Sequence, residues 1–385
     1  MTETLSPATE ADLAEAVRAA AAAKTPLEIF GGGTRAGLGR PVQAERSLST
    51  AGLSGISLYE PGALTLVVKA GTPVAEVEAA LAAEGQMLPF EPMDHRALLG
   101  SEGEPTIGGV VACGVSGPRR IAAGACRDSI LGLRFVNGRG EAIKSGGRVM
   151  KNVTGYDLPK LLCGSYGTLG VITEIAFKVL PKPEAEATLI HEGLDAAAGI
   201  AELSRALTSP YGITGAAHSG ARTMLRIEGL AGSVAERLAK LRALCGPDCK
   251  VAEGGDSAAL WQAVRDVTLF AGQDGAVWRA SLRPSDGPKL SAELAEAGLA
   301  NEAIYDWGGG LVWLRVAEAG DAGAARIRAA VAALGGHATL VRASAVTRAA
   351  VGVFQPEPAP LARIAAGLRA KFDPAGVLNP GRMGA

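Results

Sequence analysis

Glycine constrains this chain more than any other residue. The sequence has 385 residues, 52 of them glycine, and the glycines concentrate between residues 31 and 170. The clusters there are Gly31-Gly32-Gly33-Thr34-Arg35-Ala36, Thr106-Ile107-Gly108-Gly109-Val110-Val111-Ala112-Cys113-Gly114, and Gly164-Ser165-Tyr166-Gly167-Thr168-Leu169-Gly170-Val171-Ile172-Thr173. Glycine suits places where the backbone needs positive φ or must approach a ligand closely. Tight packing alone accounts for any one cluster. A lone phosphate needs one such loop, whereas a long ligand lying across a domain needs several.

The first cluster follows the short strand Leu27-Glu28-Ile29-Phe30 and formally fits G-x-G-x-x-A. The dinucleotide fingerprint also requires a helix that opens at the glycines and aims its N-terminus at the pyrophosphate. Here Gly37, Gly39 and Pro41 follow, and the proline alone would cost a helix about 3 kcal/mol. The loop is therefore expected to stay irregular, with unhindered N–H groups able to form an anion nest. The second cluster is apolar and small, and is expected as a loop buried against something flat. The third runs straight into a strand.

The remaining pattern predicts an α+β chain. Ala11 to Ala23 reads as an alanine-rich helix with Leu13, Val17 and Ala20 on one face. Leu64 to Lys69 reads as a strand, followed by a helix with Thr72 as N-cap, Pro73 in its first turn, a buried face of Val74, Val77 and Leu81, and Gly85 at its end. Ile130 to Val136 and Glu141 to Lys144 read as strands joined by Asn137-Gly138-Arg139-Gly140, and Leu169 to Leu180 as another. Pro181-Lys182-Pro183-Glu184 breaks the pattern and marks a boundary between a domain of residues 1–180 and one of 181–385. Beyond it, helices over 194–207, 234–244, 321–334 and 361–372 alternate with strands over 224–228, 277–282 and 311–316. That alternation implies an antiparallel sheet with helices on one side.

Composition narrows the function. Lys plus Arg number 38 and Asp plus Glu 39, so nothing invites nucleic acid. Residues 1–10 lack the basic and apolar regions of a signal peptide, and no apolar stretch has membrane-spanning length. Five scattered cysteines, Cys113, Cys126, Cys163, Cys245 and Cys249, suit a reduced, cytoplasmic setting. Cys245 and Cys249 are the only candidates for a close pair or metal ligands. No other cysteine or histidine pair lies near them, so no metal site is expected. Cys126 and Cys163 read as small buried residues.

In their order, the clusters at 31–34 and 106–109, Gly155-Tyr156-Asp157-Leu158, and the cluster at 164–173 resemble the FAD-binding domain of the vanillyl-alcohol-oxidase, or p-cresol-methylhydroxylase (PCMH)-type, flavoproteins. The tail Phe372-Asp373-Pro374-Ala375-Gly376-Val377-Leu378-Asn379-Pro380-Gly381-Arg382-Met383 is similar to the C-terminal signature of FAD-linked oxidases. Finer motifs, Gly117-Pro118-Arg119-Arg120, Arg127 to Gly132 and Val149 to Leu158, look like those of the E subunits of bacterial glycolate oxidases. The resemblance implies a PCMH-type FAD-binding domain, an α+β C-terminal domain, and a tail, 372–383, returning to the flavin. It implies non-covalent FAD, with the pyrophosphate over Gly31, Gly32, Gly33, Thr34 and Arg35. Thr106, Ile107, Gly108, Gly109, Ala112 and Ser116 would line the cofactor, Val171 and Ile172 would lie against it, and Asn379 would approach the ring. It also implies a larger flavin-binding subunit and an iron–sulfur subunit as partners, through which the chain would reach the inner face of the membrane.

Related catalytic subunits carry a histidine-rich substrate site. Here His95, His191, His218 and His337 stand apart, and no catalytic residue is assigned. The expected function is a flavin-bearing subunit that takes part in oxidising glycolate, or another 2-hydroxy acid, to the oxo acid. The alternatives are a self-sufficient dehydrogenase and a structural subunit with little cofactor. Outside the glycine clusters, Arg279 and Arg283 are read either as a carboxylate clamp or as an exposed strand face. The segment Asp306 to Arg315, with Trp307 and Trp313, is read either as core or as a surface facing the flavin or a partner subunit. Asp157 is expected to cap a helix, Lys151 and Arg127 to meet phosphate or a neighbouring acid, and Cys113 is a conceivable anchor for covalent flavin.

Overall fold

The computed structural model describes residues 3–149 and 155–384. It divides into two compact units. One comprises Met1–Val115, Ala125–Lys182 and Pro356–Ala385, and the other Ser116–Gly124 and Pro183–Gln355. The chain passes between them at Lys182, where the Pro181-Lys182-Pro183 sequence disfavours continuous regular structure. It also makes a nine-residue excursion, 116–124, that sequence reading did not anticipate.

In the first unit, a parallel sheet places Arg46–Ser49 between Glu3–Leu5 and Leu27–Phe30. An antiparallel sheet runs in the order Ile56–Glu60, Thr65–Lys69, Val171–Lys178, Ile130–Val136, Ala142–Gly146. The helix Glu10–Ala23 starts at Thr9, whose hydroxyl accepts from the Asp12 N–H at 3.1 Å. It buries Leu13, Val17 and Ala20 against Leu27, Leu48 and Val136. In its first turn Glu10 accepts from Arg134 Nε at 3.0 Å and Thr173 Oγ1 at 2.6 Å, which ties it to the antiparallel sheet. The Arg134 guanidinium and the threonine hydroxyl hold the Glu10 carboxyl below its ordinary range.

Two local expectations need correction. The helix Val74–Ala83 begins one residue later than expected, with Pro73 itself in the capping position. Thr72 does not cap it, because its hydroxyl accepts from the Gly55 N–H and donates to Lys69 O at 2.8 Å. The second glycine cluster is a helix, Ile107–Cys113, and not a loop. Thr106 caps it by accepting from the Gly109 N–H, and Gly114 ends it at φ 63°.

The tail closes the first unit. Leu27 donates to Val377 O at 2.8 Å and Asn379 donates to Leu27 O at 3.0 Å, so residues 377–379 add to the edge of the parallel sheet. Val377 and Leu378 are buried in the same cluster as Leu13 and Leu27.

The second unit is an eight-stranded antiparallel sheet in the order Lys250–Glu253, Ala185–Glu192, Arg222–Gly229, Ile213–Ser219, Asn301–Asp306, Leu311–Val316, Ala276–Ser281, His337–Arg342. Strand alternation splits its side chains between two faces. Leu189, Ala216, Leu225 and Leu314 meet Leu203, Leu241, Leu290 and Ile327 from four helices. On the opposite face, Ala217 and Met224 meet Trp261 and Val264 of the helix Gly254–Arg265. Helices therefore cover part of both faces, which corrects the one-sided arrangement expected from the sequence.

Candidate functional site

The three glycine clusters and the tail converge on one cleft in the first unit. It is lined by residues 29–36, Thr50, Ala70, Thr106, Gly108, Gly109, Ala112, Cys113, Tyr166, Gly167, Gly170, Val171, Ile172, Asn379 and Arg382. Of the residues singled out from the sequence, Gly31, Gly32, Gly33, Thr34, Arg35, Thr106, Gly108, Gly109, Ala112, Val171, Ile172 and Asn379 all line it. Ile107 does not, because the helix turns it into the core beside Val110 and Val111. Ser116 does not, because it belongs to the excursion 116–124.

The first loop stays irregular after its strand, as the downstream glycines and proline require. Among the described residues, the N–H groups of Gly32, Gly33, Thr34 and Arg35 have no protein acceptor. Gly33 sits at φ 78°, and a Cβ there would meet nothing within 4 Å, so its face opens into free space. Such a run of unpaired amides is an anion-binding concavity.

Arg35 carries the charge. It is 8% exposed and makes one hydrogen bond, Nη2 to Met93 O at 2.9 Å. Its buried Nε has no partner. Burial lowers its pKa, with Asp94 acting in the opposite sense, so the guanidinium is held in a place where an anion would relieve it. Arg382, which sequence reading quoted within the tail but did not assign, lines the cleft too. Its Nη1 donates to Leu38 O at 3.0 Å and its Nη2 to Glu28 Oε1 at 2.9 Å, while Nε is unpartnered. Arg382 thus fastens the tail to the first loop and adds a second positive charge. Bare amides and two buried guanidiniums fit the doubly charged pyrophosphate of FAD. The apolar walls at Ile29, Phe30, Ala112, Val171 and Ile172 suit its flat ring systems.

Asn379 lines the cleft as expected from the sequence, with its side-chain amide engaged by backbone groups. Its Oδ1 accepts from the Ile29 N–H at 2.8 Å and its Nδ2 donates to Tyr166 O at 2.8 Å. The side chain therefore clasps the first strand to the third glycine cluster, and it shapes the cleft wall through those backbone bonds. No imidazole or carboxylate occurs among the described lining residues. His191 pairs with Glu202 and His218 with Thr223, both in the second unit. Cys113 is the one thiol in the cleft, and burial pushes it above its ordinary range.

The glycines divide by cause. A Cβ on Gly108 would lie 2.7 Å from both the carbonyl oxygen and the Cβ of Ala70, so Gly108 lets its helix pack against that strand end. Gly108→Val is expected to lower the Tm of the ligand-free protein by roughly 5 °C or more, measured by thermal melting. Gly33→Ala, whose Cβ points into space but whose φ of 78° strains an L side chain by roughly 1–2 kcal/mol, is expected to cost less stability than Gly108→Val and to weaken ligand binding as well.

Other candidates resolve differently. Trp307 is 7% and Trp313 6% exposed. Trp307 Nε1 donates to Gly117 O at 3.0 Å, and its ring lies under the guanidiniums of Arg120 at 4.2 Å and Arg279 at 5.3 Å. The tryptophans are therefore core and not partner surface, and Arg279 stacks on an aromatic ring. Arg283 pairs with Asp286 at 2.7 Å and is not a carboxylate clamp. Arg119 of the excursion forms a buried pair with Glu228 at 2.7 Å. Asp157 caps Leu158–Leu162 by accepting from the Lys160 N–H. Arg127 is exposed beside Asp128. Lys151 lies outside the described residues. Cys245 and Cys249 are free thiols in the core of the second unit, and no cluster suited to a metal occurs among the described residues.

Comparison with known proteins agrees with this geometry. Residues 3–146 match the family model described as an FAD binding domain. The chain is 40% identical to the glycolate oxidase subunit GlcE of Escherichia coli K12 over 96% of both chains. It is 37% identical to the glycolate oxidase subunit GlcD of Bacillus subtilis 168, over 35% of this chain and 28% of that one. Among solved structures, an alkyldihydroxyacetonephosphate synthase superposes with a TM-score of 0.66 at 16% identity, covering 98% of this chain and 76% of the other.

Proposed function

This chain belongs to the family of the glycolate oxidase subunit GlcE, FAD-binding oxidoreductases of the vanillyl-alcohol-oxidase type, and on that premise we propose that it is the flavin-bearing accessory subunit of a complex that oxidises glycolate, or a close 2-hydroxy acid, to the oxo acid. The observation that carries the reading is the lining of the cleft, which provides for an anionic dinucleotide and offers no base. FAD, when bound, accepts the hydride from the alcohol carbon. Arg35, Arg382 and the amides of residues 32–35 hold its pyrophosphate. Val171, Ile172 and Ala112 present flat apolar surface to its rings. Attachment is non-covalent, because the first glycine loop has no histidine or cysteine and no histidine occurs among the described lining residues of the cleft.

A larger flavin subunit supplies the substrate base, and an iron–sulfur subunit carries electrons onward. No helix among the described residues is long and apolar enough to cross a membrane. Co-expression of the chain with both partners is expected to give a complex that co-purifies and reduces a dye when glycolate is added. Recovery of the chain free of the larger flavin subunit would refute the assembly.

A further inference from the structure

We propose that Cys126 and Cys163 form a reversible dithiol–disulfide pair that hydrogen peroxide oxidises. The sequence presents them as unrelated buried residues 37 positions apart. The fold brings them together in the first unit. Cys126 is 0% exposed and opens the short 3₁₀ turn Cys126–Ser129. Cys163 closes the helix Leu158–Leu162 and is partly accessible. Both pack against the same apolar cluster as Val110 and Val111. Within that cluster the Cys126 and Cys163 side chains lie within hydrogen-bonding reach of each other.

The division of labour follows from the surroundings. The hydrogen bond from Cys126, with help from Arg127, lowers the Cys163 thiol below its ordinary range, while burial raises Cys126. Cys163 is thus the more accessible and the more readily ionised of the two, and the thiolate is the form that reacts with peroxide. Its thiolate attacks one peroxide oxygen, the O–O bond breaks, and the departing hydroxide takes a proton to become water. Cys163 is then a sulfenic acid. The Cys126 sulfur attacks it, the S–S bond forms, the S–O bond breaks, and the leaving hydroxide takes the Cys126 proton as a second water. Two thiols are oxidised and one peroxide is reduced. Peroxide is the product when a reduced flavin meets dioxygen, so a flavin-bearing chain is exposed to it at close range.

The pair also adjoins the cleft wall. Cys163 directly precedes Gly164, whose N–H donates to Val111 O, and Tyr166 donates to Ala112 O. Tyr166, Gly167 and Gly170 line the cleft. The other close cysteines behave differently: burial pushes Cys245 up to about 12 and raises Cys249 as well, which keeps both as unreactive thiols.

The test uses the purified full-length chain, exposed to hydrogen peroxide, blocked with an alkylating agent and digested with trypsin without reduction. Trypsin places Cys126 in peptide 121–127, Cys163 in 161–178 and Cys113 in 97–119. The expected result is a linked species of 121–127 with 161–178 in most molecules, abolished by dithiothreitol and absent from Cys163→Ser. In Cys126→Ser, dimedone is expected to label Cys163. Separate alkylation of the two peptides after peroxide, a link through Cys113, or dimedone on a cysteine other than Cys163 would each overturn the proposal. The wild-type digest decides the pairing even where a variant fails to fold.

Discussion

Replacing Arg35 with methionine is expected to weaken FAD binding by about 10- to 150-fold, since a hydrogen bond to a charged group contributes roughly 1.5–3 kcal/mol. The same change is expected to leave the ligand-free protein at least as stable as the parent. The two effects diverge because Arg35 is 8% exposed, with a single protein hydrogen bond and a buried Nε that has none. A guanidinium so placed costs the empty fold a desolvation penalty that Met93 O cannot offset. Methionine fills similar volume without that penalty. Fluorescence titration with FAD and a thermal melt of the ligand-free variant measure the two quantities. A variant that melts lower and binds FAD normally would make Arg35 a packing residue and remove it from the pyrophosphate site.

The second large effect concerns turnover. The isolated chain is expected to oxidise glycolate about 10²- to 10⁴-fold more slowly than the assembled complex, the range usually supplied by a positioned general base. The cleft contains Arg35 and Arg382 but no carboxylate or imidazole among its described lining residues, and burial pushes the Cys113 thiol above its ordinary range. Dye-reduction assays on equal amounts of flavin, with and without partners, measure the ratio. Equal rates would mean that this chain carries its own base and would promote the self-sufficient dehydrogenase.

The glycine clusters made much of the cleft legible, because glycine positions report backbone demands that no other residue satisfies. Gly33 shows this most clearly, with positive φ and open space in front of it. The second cluster was read as a loop because two adjacent glycines weaken a helix. The Thr106 cap, and the close seat of Gly108 on Ala70, override that local preference. The backbone clasps made by Arg382 and Asn379 were hard to read for a related reason. Each acts by binding backbone carbonyls or amides far away in sequence, Leu38, Ile29 and Tyr166, and such partners leave no residue-type signal. The excursion 116–124 was equally hidden, since its anchors, Arg119 on Glu228 and Gly117 on Trp307, lie more than 100 residues away. In the second unit, the three strands read from the sequence lie within two residues of the observed ones, but the five at Ala185–Glu192, Ile213–Ser219, Lys250–Glu253, Asn301–Asp306 and His337–Arg342 were not read, and small side chains such as Ala216 and Ala217 do not reveal which face is covered.

Acid precipitation of the freshly purified chain, followed by a flavin spectrum of pellet and supernatant, tests the central claim most directly. The cleft described above is expected to release FAD into the supernatant in amounts equimolar with the chain and to leave the pellet colourless. A chain that carries no flavin and takes none up from added FAD, or a pellet that stays yellow, would contradict it.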